Sequence, residues 1–122
     1  MTDNQNDIFS NNEEHVLTGL CACGGKLLGR IVVLESVSEV DKIQPGDILV
    51  TRQTDPGWIV VFPLISGLIV ERGGMLSHGA IVSREFGIPA IVGVTRATQL
   101  LHDNDWVELN ADLGRIQVIN KL

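Results

Sequence analysis

The chain of 122 residues has no basic block, only two cysteines, few aromatic residues and no apolar run long enough to cross a bilayer. Each lack excludes a class of protein. Nine Lys and Arg stand against fifteen Asp and Glu, a net charge of −6, so neither a nucleic-acid backbone nor an anionic membrane surface meets a cationic footprint. Cys21 and Cys23 are too few to staple a secreted mini-protein, and a chain of this length buries a core without them. The expected setting is reduced and cytoplasmic. A membrane helix needs about 20 apolar residues, whereas the longest candidate, residues 58–70, is broken by Pro63, Ser66 and Gly67. Residues 1–14 (MTDNQNDIFSNNEE) have neither the cationic start nor the apolar stretch of a signal peptide. Rich in Asn, Asp and Glu, they read as a disordered leader or a linker, and residues 15–122 as one domain. There is no P-loop, no dinucleotide fingerprint and no internal repeat.

What is present is a succession of short β runs punctuated by glycine. Strands are predicted over 30–34, 48–51, 67–71, 90–94, 106–110 and 115–119, about six in all, with two to three short helices, an α/β fold. Gln44-Pro45-Gly46-Asp47 is a turn, Pro presetting φ and Gly accepting a positive one. Asp55 as N-cap and Pro56 at the first helical position start a helix that Pro63 should cut short. The best helix is 77–86, opened by Ser77 and closed by Gly87 with Pro89 beyond. A shorter helix is expected over 95–101, capped by Thr95. Residues 106–110 and 115–119 alternate as an antiparallel pair around the turn 111–114.

The chemistry lies in residues 71–93, ERGGMLSHGAIVSREFGIPAIVG. A glycine pair, Gly73 and Gly74, precedes a histidine at a helix N-terminus. The glycines allow close approach and left-handed backbone. The first helical turn leaves amides without intrahelical partners, and the helix dipole is positive there, which makes an anion site. A positive end also disfavours imidazolium, so a histidine placed there, His78, is expected to be biased toward its neutral, nucleophilic form. The phosphate-binding set read from this segment is Gly73, Gly74, Ser77, Gly79 and Arg84. Arg84 follows His78 by six residues and does not automatically share its face. On spacing alone, a histidine beside two glycines is more often a capping or packing residue than a nucleophile.

The run GG-x-x-S-H-G-A-I-V-x-R-E-x-G-I-P-A-I-V-G resembles the signature of the phosphohistidine, or swivelling, domain of phosphoenolpyruvate-utilising enzymes. Residues 45–50 followed by Asp55-Pro56-Gly57-Trp58 resemble the same family's upstream block, and 105–116 its closing hairpin. The resemblance extends over about 17–119. It implies a swivelling β/β/α domain, part of a phosphotransferase (kinase), in which His78 is phosphorylated and carries the group from a nucleotide site to an acceptor. It also implies that this domain binds no cofactor of its own. ATP and Mg²⁺ sit on an ATP-grasp-type partner domain, and another domain, in cis or in trans, binds the acceptor. Leu76 stands where the dikinase and synthase branches carry a threonine, and Gly79 where they carry alanine. With Asp-Pro-Gly-Trp, this makes the chain more similar to the phosphoenolpyruvate synthase and rifampicin phosphotransferase-like group. The competing reading is a free-standing swivelling-fold module that binds an anion or a partner without phosphoryl transfer.

The remaining candidates read blandly. Cys21 and Cys23 form a Cys-x-Cys in a Gly-rich turn with no second pair, so neither they nor any other cluster marks a metal site. His15 and His102 read as surface residues, Glu39, Asp41 and Lys42 as a solvated loop. Trp106 is expected in the core and Trp58 half-buried. Arg72, just before the glycine pair, is a second candidate to hold phosphate.

Overall fold

All six expected strands are present in the computed structural model, which describes residues 16–120, and two short ones precede them. The strands are β1 (Val16–Thr18), β2 (Leu20–Cys23), β3 (Lys26–Val33), β4 (Ile48–Thr51), β5 (Gly67–Val70), β6 (Ala90–Val92), β7 (Trp106–Asn110) and β8 (Arg115–Asn120). Two α-helices, α1 (His78–Phe86) and α2 (Ala97–Leu100), and 3-10 helices at Val37–Lys42, Pro56–Leu64 and Ala111–Leu113 connect them. Cys21 and Cys23 therefore lie on a strand, not in a turn. β1 and β2, three and four residues long, are too short for alternation to register against the glycines around them. The leader and His15 lie outside the described residues.

The sheet order is β1-β8-β7-β3-β4-β5-β6-β2. β3 to β6 run parallel, and every other pairing is antiparallel. β1 and β2 occupy opposite ends of that order, yet only Gly19 separates them in sequence, so the sheet curls until its two ends meet. Gly19 is the joint. Its N–H bonds the Gly114 carbonyl at 2.9 Å, and a Cβ there would lie 2.7 Å from Ile91, the Val92 carbonyl and Val94.

Alternate side chains of the parallel strands feed two cores. Ile31, Ile48, Val50, Ile69 and Ile91 point into the curl, with Val107, Leu109 and Ile116. Val32, Leu49, Leu68, Val70 and Val92 point outward, where α1 and the helix Pro56–Leu64 cover them with Ala80, Val82, Trp58, Val61 and Phe62. Burial on both faces is why these strands read as unbroken apolar runs.

The turn before β4 forms as expected, with Gly46 at φ 89° and the Asp47 N–H on the Gln44 carbonyl at 3.1 Å. The Asp47 side chain does more than the turn requires. Only 3% exposed, it accepts the Gln44 N–H at 2.8 Å and two bonds from Arg30, Nε at 3.1 Å and Nη2 at 2.6 Å. It ties the turn to β3.

Several local expectations are corrected. The helix opened by Asp55 and Pro56 starts as predicted, with Asp55 Oδ1 accepting the Gly57 N–H at 2.9 Å, but it runs through Pro63 to Leu64. Its 3-10 turns lose one donor at Pro63 and close instead through the Ile65 N–H on Phe62. Thr95 caps nothing. α2 begins at Ala97 after Arg96 at φ 62°, and the Glu71 carboxylate from the end of β5 takes the Thr98 amide at 2.9 Å and its hydroxyl at 2.6 Å. Residues 37–42 are not a loop. Ser36 and Glu39 form a capping box, and Lys42 pairs with Asp103 at 3.0 Å. The two tryptophans exchange roles. Val107 and Leu109 take the inward positions of β7, which turns Trp106 outward at 46% exposed, while Trp58 is buried in the outer core.

These contacts make stability acid-sensitive. The Thr98 hydroxyl and amide hold the Glu71 carboxyl below its ordinary value, and the Glu35 and Ser36 amides do the same for Glu39. A depressed carboxylate stabilises the fold above its unfolded titration, and the gain disappears as pH falls through the folded value. The melting temperature should therefore hold from neutrality to about pH 5 and drop below about pH 4.3, the ordinary glutamate value. Thr98→Val should shrink that drop in a thermal titration.

Candidate functional site

β5 ends at the sheet's carboxyl edge, and the loop 71–77 turns from it into α1. Gly73, at φ 103°, makes this turn possible. A Cβ on it would lie 2.8 Å from Ser77 Cβ and 2.9 Å from Ser77 Oγ. Gly74 differs from the expectation. Its φ is ordinary and a Cβ would meet nothing, so the glycine requirement falls on Gly73 alone.

Ser77 occupies the N-cap position, but its side chain makes no cap. Its hydroxyl donates to the Gly74 carbonyl at 2.7 Å, and its amide bonds the same oxygen at 3.1 Å. The loop is drawn tight by this pair, and the first-turn amides of α1 receive no capping oxygen from Ser77.

His78 opens α1, half-buried. Its Nδ1 lies 2.8 Å from Thr54 Oγ1, and the Phe62 ring stands edge-on to it with centroids 6.3 Å apart. Thr54 comes from the segment after β4, so two adjacent crossings of the parallel sheet converge on one imidazole. With Nδ1 engaged, Nε2 is the nitrogen left for other chemistry. Sequence reasoning missed Thr54. Its only signal was its place, three residues past β4 and just before Asp55-Pro56-Gly57. Gly79 explains how helix and threonine come so close, since a Cβ there would lie 3.2 Å from Thr54 Oγ1.

A cleft of about 230 Å³ beside the histidine is lined by Gln53, Thr54, Arg72, Gly73, Ser77 and Gly79, with Val70 at its floor. It gathers three of the five predicted phosphate-binding residues and adds Arg72. Gly74 does not line it. Nor does Arg84, whose Nε and Nη2 donate to the carbonyls of Ala22 and Met75 at 2.8 and 2.7 Å.

The other candidates stay apart. Cys21 and Cys23 are free thiols packed against different cores, and burial pushes the Cys21 thiol up. His102 is an exposed side chain beside Asp105. Among the described residues, no group of three or more His, Cys, Asp and Glu side chains is placed to hold a metal, and no helix is long and apolar enough to cross a membrane.

Residues 43–114 match the family model described as PEP-utilising enzyme, mobile domain. The chain is 42% identical over 107 residues to a rifampicin phosphotransferase of Streptomyces sp, covering 88% of this chain and 12% of that protein. It is 44% identical over 103 residues to a "Probable phosphoenolpyruvate synthase" of Pyrococcus horikoshii, covering 84% and 12%. It thus spans about an eighth of the length of these relatives. A solution structure of Enzyme I superposes with a TM-score of 0.57 at 24% identity, over 67% of this chain and 34% of that one. The aconitase X of Thermococcus kodakaraensis superposes at 0.65 and 18%, over 86% and 98%. At such identities the structures testify to the fold alone.

Proposed function

The chain belongs to the mobile-domain family of phosphoenolpyruvate-utilising enzymes, and from that we propose that it is the phosphocarrier domain of a cytoplasmic, ATP-dependent phosphotransferase, with His78 as the carrier. The observation that bears most weight is the hydrogen bond between His78 Nδ1 and Thr54 Oγ1. If the hydroxyl accepts from Nδ1–H, Nε2 carries the ring's lone pair and is the atom left to attack. The phosphorus–oxygen bond to the donor's leaving group breaks as the phosphorus–Nε2 bond forms, and the ring keeps its Nδ1 proton throughout. Divided this way, one difficult transfer becomes two easier ones, and positioning supplies much of the rate.

The charge arriving on Nε2 meets the uncapped first-turn amides of α1 and the guanidinium of Arg72, which lines the adjoining cleft. ATP and Mg²⁺ belong to an ATP-grasp-type partner domain, and the acceptor to a further domain, in cis or in trans. The two named relatives, a rifampicin phosphotransferase and a probable phosphoenolpyruvate synthase, differ in their named activities, which supports an acceptor set outside these residues.

The test is intact mass after incubation with such a partner domain, ATP and Mg²⁺. One phosphoryl group should appear on His78 and be lost in mild acid but kept in base. An acid-stable adduct, for instance on Ser77, would overturn the reading.

Two substitutions probe the geometry. Thr54→Val removes the bond that orients the ring, so loading should fall about tenfold or more, with Thr54→Ser restoring it. A loading rate unchanged in Thr54→Val would remove the hydroxyl from the mechanism. Gly73→Val adds a branched side chain where φ is positive and Ser77 is already in contact, and should slow loading at least about tenfold. Gly74→Ala, in open space, should load as the parent does. The reverse order would return the cradle to Gly74.

A further inference from the structure

Arg84 lies six residues beyond His78, about 9 Å further along a helix that rises about 1.5 Å per residue. Helical side chains lean toward the N-terminus, and this one runs back past the first turn. Its Nη2 donates to the Met75 carbonyl at 2.7 Å, in the loop that presents His78, and its Nε to the Ala22 carbonyl at 2.8 Å. Ala22 is the residue that the β2–β6 register skips, since Cys21 pairs with Ile91 and Cys23 with Ala90. One guanidinium thus joins three elements: the irregular point of an end strand, the helix and the loop. The preceding carbonyl, that of Gly74, is held by the hydroxyl and amide of Ser77. Successive peptide groups of the loop are therefore gripped by independent donors.

We infer that Arg84 is a positioning residue, bridging the Ala22 and Met75 carbonyls so that the loop before His78 is held in one conformation, and that it is not a phosphate ligand. Two of its three guanidinium nitrogens are already committed to carbonyls. Arg72, not Arg84, lines the cleft beside the histidine. The bridge depends on a rigid fork of donors, which a lysine, with a single ammonium, does not reproduce. Its functional consequence rests on the reading that His78 carries phosphate.

The test compares the parent chain with Arg84→Lys and Arg84→Gln in three measurements. Amide exchange at Ser77, whose N–H bonds the Gly74 carbonyl, should quicken about tenfold in both variants while β4 and β5 keep parent rates. ATP-dependent loading by the partner domain should fall about tenfold in both. Labelling of His78 by phosphoramidate, whose ammonia leaves as the phosphoryl group passes to the ring, requires no partner and should stay within about twofold, because the imidazole itself is untouched. Unchanged exchange in Arg84→Gln overturns the brace. So does parent-like loading by Arg84→Lys, which would make positive charge the operative property. If the parent chain never loads while exchange still responds to Arg84→Gln, the brace stands and the carrier reading falls.

Discussion

Replacing His78 by alanine should leave a folded chain that takes up no phosphate. The ring is half-buried, bonded to Thr54 and in edge contact with Phe62, yet it lies at the start of α1 and outside both cores. Its removal deletes one hydrogen bond and one partial aromatic contact, a cost of about 1 kcal/mol. Thr54 keeps access to water, so no buried polar group is stranded. Phosphoryl acceptance, by contrast, should go to zero, because no side chain lining the cleft beside it offers an unshared nitrogen pair in an oriented ring. The measurements are a thermal melt, shifted by only a few degrees, and intact mass after loading. Acid-labile phosphate on the variant would end the assignment of His78.

The largest loss of stability should come from a residue with no part in that chemistry. Asp47→Ala takes from Arg30, whose side chain is 20% exposed, its carboxylate partner, leaving it the neutral Asn104 side chain, and takes the acceptor from the Gln44 amide in the same stroke. Breaking a buried, hydrogen-bonded ion pair from one side costs about 3 kcal/mol or more, because the surviving charge stays desolvated. For a domain of this size that is roughly a 10 °C fall in melting temperature. Asp47→Asn should fall between the two, since its amide oxygen can still accept a bond. The double variant Asp47→Ala, Arg30→Met should recover part of the loss. If the single variant melts within about 2 °C of the parent, the pair contributes no more than a surface bridge.

Asp47 also marks where sequence reading reaches its limit. Pro45 and Gly46 announce a turn because each fixes its own φ, a local property that needs no knowledge of the fold. The partnership of Asp47 with Arg30 spans seventeen residues and depends on β3 lying beside β4, which no local pattern states. The same division runs through the site. Gly73, the Asp55 cap with Pro56 and the Gly87 stop of α1 are legible because such residues act on the nearest few bonds, whereas Ser77 and Thr95 stand at helix starts without capping them. Thr54 was invisible because it reaches His78 across twenty-four residues. Arg84 was visible as a charge, but its role depends on where a bulge in β2 leaves a carbonyl. The tryptophans were misplaced for a related reason. Composition ranks tryptophan as apolar, but the face it occupies is set by its register on a strand, and β7 gives its inward positions to Val107 and Leu109.

The curl of the sheet has a further consequence, for solubility rather than for catalysis. An open sheet offers two long edges whose unpaired amides and carbonyls can recruit a foreign strand. Here the end strands are β1 and β2, three and four residues long, welded together through Gly19. Neither gives an intruding chain room for more than one or two rungs. For the carrier role proposed above, in which the domain meets one partner surface and then another, being unable to zip onto either is an advantage. Its encounters are left to side chains, which let go.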